Sequence, residues 1–137
     1  MDFLIANPVR TVALHKGGIS VRVPAPERYA VHKLIVASRR RTGEDTQVGY
    51  GAATANLVSK RDKDVRQASL LVEALALKRR QYDLAAAWTE AWRRGPAWRE
   101  GLNAGRALMA PEHRDLLADA VRQGCLDQKV APADVGF

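Results

Sequence analysis

Two short runs gather side chains suited to hold an anion. His32-Lys33 is followed by Arg39-Arg40-Arg41, and Lys60-Arg61-Asp62-Lys63-Asp64 comes after 18 intervening residues. Ammonium and guanidinium groups neutralise phosphate oxygens, and an imidazole can pass a proton near neutral pH. If the helices carrying the two runs pack antiparallel, both clusters fall at one end of the molecule and form a patch for phosphate groups. His32, Lys33, Arg39, Arg40, Lys60 and Lys63 are the candidates on these grounds. The structural alternatives are specific too. Cations at a helix C-terminus complement its dipole, Asp62 and Asp64 can cap and pair at a helix start, and His32 can be a surface histidine. Only Tyr50 lies near the basic runs, so the aromatic interleaving of single-strand binders is missing.

Other chemistries find little support. His15, His32 and His113 share no metal-ligand spacing, and neither His-x-Glu nor His-Glu-x-x-His occurs, so no metal site is expected from this chain. Gly17-Gly18 and Gly49-Tyr50-Gly51 lack the residues that complete a phosphate loop or a dinucleotide fingerprint. Cys125 stands alone, which excludes an internal disulfide, and no convincing base accompanies it. Glu44-Asp45 sits in a polar stretch and reads as solvated.

The 137 residues suit one domain, 1–137, and 47% hydrophobic content supports a core without disulfides or metals. No run of about 18 apolar residues is present, so no membrane partner is expected. The N-terminus lacks a basic, then apolar, leader pattern, and a reduced cytoplasmic setting is the default. The net charge of +7 is uneven. Residues 1–64 hold 11 basic and 6 acidic side chains, and residues 65–137 hold 11 and 9. The surplus therefore gathers around the two basic runs.

The elements that must position these residues read as α+β. Val9–Leu14 and Ile19–Val23 flank Gly17-Gly18, a plausible tight turn, and the second run alternates apolar and polar residues as a half-buried strand does. Phe3-Leu4-Ile5 is a candidate third strand, because a two-stranded sheet is marginal alone. This β-rich part, residues 1–25, gives way to a helical region, 26–124, of about five helices. Pro26 and Glu27 open the first, which runs to about Arg41 with Ala30, Val31, Leu34, Ile35 and Ser38 on one face. Residues 42–59 read as a glycine-rich loop, with Ala52–Val58 able to extend the next helix backward. Helices are expected over Asp62–Leu77, Tyr82–Arg93, Pro96 to about Met109, and Pro111–Gln123. The tryptophans Trp88, Trp92 and Trp98 recur at helical spacing and read as core. Residues 125–137 form a tail, in which Asp127–Phe137 has no period and is expected to fray.

The order of these motifs resembles a known family. Val23-Pro24-Ala25-Pro26-Glu27-Arg28-Tyr29-Ala30-Val31-His32-Lys33-Leu34-Ile35-Val36, with Lys60-Arg61-Asp62-Lys63-Asp64-Val65-Arg66-Gln67-Ala68, is similar to the C-terminal half of a bacterial family of nucleotidyltransferase-fold proteins. Arg94-Gly95-Pro96-Ala97-Trp98 also looks like that family, so the resemblance spans roughly residues 2–100. His32, Lys33, Lys60, Lys63 and Asp64 occupy its motif positions, which adds Asp64 to the candidates.

What the resemblance implies is a nucleotide-facing surface on a partial enzyme. Family members carry a preceding half with a Gly-Ser turn and a carboxylate pair that binds metal ions and places the nucleoside triphosphate. This sequence shows no Gly-Ser pair followed by Asp-x-Asp. The expectation is a truncated or split nucleotidyltransferase-like protein, inactive alone, acting as a nucleotide- or substrate-binding module. No cofactor is expected for this chain by itself, and Mg2+ with a nucleoside triphosphate is expected if a catalytic half is supplied. Its partners would be that catalytic-half protein, or a second copy through an exposed sheet. The alternative is a small basic nucleic-acid-binding or regulatory protein of antitoxin type.

Overall fold

The computed structural model describes residues 2–13, 19–40 and 52–137. In chain order the elements are α1 (Asp2–Ile5), β1 (Val9–Ala13), β2 (Ile19–Val23), α2 (Pro26–Arg39), α3 (Ala52–Leu77), α4 (Gln81–Trp92), α5 (Pro96–Ala107), α6 (Pro111–Asp127) and a 3-10 turn, Pro132–Val135. The α+β reading holds: one antiparallel hairpin, then a helical array. Strands β1 and β2 pair from Val9↔Val23 to Ala13↔Ile19. The expected Gly17-Gly18 turn lies outside the described residues. So do residues 42–51 of the expected loop and Arg41 of the basic run.

Phe3-Leu4-Ile5 is not a third strand. It forms one helical turn, and among the described residues the sheet has two strands. Three apolar residues fit either conformation, and tertiary packing decides. The Phe3 ring is buried edge-on to Trp98 at 5.7 Å between centroids, with the Arg28 guanidinium 4.9 Å from its centre. Arg28 also donates to the Phe3 carbonyl at 2.9 Å.

Prolines open α2, α5 and α6, where a missing N–H leaves no bond unmade. Helix α3 begins at Ala52, ten residues ahead of Asp62, because Ala52–Val58 continues it backward. The apolar stripes meet in one core: Ala30, Val31, Leu34 and Ile35 from α2, Ala68, Val72 and Leu75 from α3, Leu84 and Trp88 from α4, Leu102 from α5, and Leu117 and Val121 from α6.

Two glycines let helices touch backbone to backbone. A methyl group on Gly105 would overlap the Leu34 carbonyl of α2, and one on Gly124 would overlap the Gln81 carbonyl of α4. Backbone atoms cannot swing aside. Gly124→Ala is therefore expected to destabilise the protein by about 2 kcal/mol, despite alanine's better helix propensity. A urea midpoint at or above that of the parent protein would refute this close approach.

The C-terminal segment does not fray. After α6 the chain turns back, and Val135 is buried with 1% exposure. The Trp88 indole N–H donates to the Val135 carbonyl at 2.9 Å, and the Phe137 ring lies 5.1 Å from the Trp88 ring. Arg106 of α5 donates to the Gly136 carbonyl at 3.0 Å and covers the Phe137 ring. Periodicity is blind to such a tail, because its anchors are single long-range contacts rather than a face. Trp88 is core as expected, while Trp92 and Trp98 are partly buried against it.

The hairpin is less well covered. The cross-strand pair Val9 and Val23 is 42% and 37% exposed, and Ile5 is 59% exposed.

Candidate functional site

The candidate residues divide around Asp64. Its carboxylate, in the second half of the Lys60–Asp64 run on α3, is 4% exposed. Lys33 Nζ donates to Oδ1 at 2.8 Å, and Arg40 Nε donates to Oδ2 at 2.7 Å. On α2, Tyr29 and Lys33 lie one turn apart on one flank, with the Lys33 ammonium 5.2 Å from the centre of the Tyr29 ring, and Arg40 follows at the helix C-cap. The end of α2 thus lies alongside the Lys60–Asp64 stretch, which brings both basic runs to one region. Burial pushes the Asp64 carboxyl up, but the bonds from Lys33 and Arg40 outweigh it and hold the carboxyl below its ordinary value. For Lys33 burial likewise opposes the charged form, and its bonds to Asp64 and Tyr29 raise its pKa.

Arg39, Lys60 and Lys63 are exposed, the first next to Arg40 in the chain and the other two within the turn that precedes Asp64 on α3. Arg61 reaches Asp62 beside it at 3.4 Å, a loose surface pair. His32 is partly buried on α2. Burial, followed by the positive charges of Lys33 and Arg39, lowers its pKa, so the imidazole is neutral at pH 7. A neutral imidazole offers one donor and one acceptor to a ligand. The arrangement is a buried carboxylate held by two partly buried cations, net charge +1, with exposed cations near it in the chain. Such exposed cations can hold phosphate oxygens, while Asp64, with both oxygens engaged, joins two helices.

Among the described residues no group of three or more His, Cys, Asp or Glu side chains is placed to hold a metal ion. Asp64 is also the only buried carboxylate among them. On the same helix Gln67 Oε1 is buried without a hydrogen-bond partner.

Several functional-looking contacts escaped the sequence reading. Arg28, inside the Pro-x-Arg motif, pairs with Glu90 of α4, and its hydrogen bond holds the Glu90 carboxyl below its ordinary value. Arg80 bridges Glu27 at 3.0 Å and Asp83 at 2.9 Å. The charges were visible, but partners 62 and 53 residues away leave no trace in a single sequence. Asp62, Val65, Arg66, Leu70, Leu108 and His113 line a shallow, largely apolar groove of about 300 Å³ between α3 and the α5–α6 junction. No described helix is long and apolar enough to cross a membrane.

Residues 1–93 match a family model described as Nucleotidyltransferase. The match takes in the hairpin, the whole clamp and α4, and ends just before Arg94–Trp98 and α5. No curated protein and no solved structure matches the chain.

Proposed function

Since the chain belongs to this nucleotidyltransferase family, we propose that it is the nucleotide- or substrate-holding module of a transferase and is inactive by itself. The observation that carries this reading is the state of Asp64. Nucleotidyl transfer needs carboxylates that can hold Mg2+ against phosphate charge. Here the one buried carboxylate among the described residues gives both oxygens to Lys33 and Arg40. With Asp64 so engaged it is not free to hold Mg2+, and on this reading the metal-binding carboxylates are supplied by a catalytic half.

On this reading Lys60, Lys63 and Arg39 neutralise the phosphates, and neutral His32 hydrogen-bonds the ligand beside them. The rest of a nucleotidyltransferase sheet, supplied by a catalytic-half protein or by a second copy, adds to the hairpin on this reading, and the exposure of Val9 and Val23 supports it. A cytoplasmic location agrees with the lone cysteine Cys125, which is buried and free.

Isothermal titration with a nucleoside triphosphate and Mg2+ tests the proposal. Saturable binding is expected, weakened roughly tenfold or more in Lys60→Ala/Lys63→Ala, because two charge-assisted contacts are lost. Undiminished affinity in that variant would sink it. Binding only to duplex DNA, with a steep salt dependence, would instead favour the basic nucleic-acid-binding protein of antitoxin type.

A further inference from the structure

A second cationic pocket lies outside the family match. Arg106 of α5, Arg114, Asp115, Ala118 and Arg122 of α6, and the returning Gly136-Phe137 enclose about 360 Å³. Arg106 is committed to the fold through the Gly136 carbonyl, Asn103 Oδ1 at 3.3 Å and the Phe137 ring 4.5 Å away. Arg114 and Arg122 have no such duty. Arg114 makes no ion pair among the described residues, and Arg122 reaches only Asp119, one turn back on its own helix, at 3.7 Å.

We propose that Arg106, Arg114 and Arg122 form a binding site for a phosphate-bearing ligand, separate from Lys60 and Lys63. Three arginine side chains share one concavity with one acidic side chain, Asp115. Folding therefore brings like charges together with only partial compensation. Burial, then Arg122 and Arg114, lower the pKa of Arg106, in keeping with that crowding. A polyanion relieves the repulsion, and planar guanidinium forks match phosphate oxygens in pairs. Arg106 is already fixed by its bonds to the tail, so part of the site is ordered before any ligand arrives. The phosphates could belong to a free nucleotide or to a nucleic-acid backbone, since the chemistry of recognition is the same.

The probe is inorganic tripolyphosphate, titrated into the full chain and into Arg114→Ala/Arg122→Ala, with Lys60→Ala/Lys63→Ala as a control. Both arginines are solvent-facing and repel Arg106, so their loss is expected not to lower the thermal midpoint. Tripolyphosphate affinity is expected to fall roughly tenfold or more in the arginine variant. Chemical-shift changes at 106–122 should vanish there and persist in the lysine variant. Equal affinity in parent and arginine variant, or shift changes that avoid residues 106–122, would overturn the site. ATP losing affinity in step with tripolyphosphate identifies a free nucleotide as the source. An oligonucleotide that displaces tripolyphosphate at far lower concentration than ATP identifies a backbone. The lysine and arginine variants report separately, so failure of either site leaves the other standing.

Discussion

Replacing Asp64 with alanine is expected to destabilise the protein by about 3 kcal/mol, because it strands two partly buried cations. Lys33 is 18% exposed and Arg40 31%, so both can regain some water, and the lower end of the range for breaking a buried pair applies. Lys33→Met/Asp64→Leu is expected to recover part of the loss, since removing both charges also removes their desolvation, and Arg40 can turn to solvent. The pH dependence has a definite sign. Asp64 titrates below its ordinary value of 3.8 in the folded protein. Its contribution is therefore complete above that value and drains away as pH falls through the lower, folded one. Urea midpoints of parent and Asp64→Ala should differ most near neutrality and converge in acid. The raised pKa of Lys33 is the alkaline side of the same pair: that stability is present below 10.5 and is lost as pH rises through the folded value. A gap that stayed constant into strong acid would show that Asp64 is not acting as a charged clamp.

Removing residues 132–137 is expected to cost on the order of 4 kcal/mol. Val135 loses full burial, and the indole N–H of Trp88, itself wholly buried, loses its acceptor. The Phe137 ring leaves both Trp88 and Arg106. Against a typical domain stability of about 5–15 kcal/mol, such a loss threatens folding outright. Val135→Ala is the gentler probe, with an expected loss of about 2 kcal/mol. A thermal midpoint unchanged in Val135→Ala would mean that the tail is not docked in solution.

These two expectations also mark the edge of what the sequence conveys. The apolar faces of α2 and α4 are written in local spacing, and Pro26, Pro96 and Pro111 announce their helices. The candidate cations and Asp64 are visible as residue types, and α2 beside α3 brings Lys33, Arg40 and Asp64 together. Nothing local says which cations Asp64 takes as partners, or that Lys60 and Lys63 stay in solvent. Phe3 and the Val135–Phe137 segment fail for the same reason. Each is placed by a few contacts with distant aromatic side chains, and neither short run has a period to betray it. The Arg106–Arg114–Arg122 pocket is assembled by the same docked tail, so a reading that lets the tail fray cannot find it.

In the proposed function, the cations near the paired Asp64 receive nucleotide phosphates. An amide chemical-shift titration of the 137-residue chain with a magnesium nucleoside triphosphate tests this. Saturable shift changes centred on residues 32–40 and 60–66 are expected, with Asp64 still in its clamp. No saturable change, or changes confined to residues far from both runs, would contradict it.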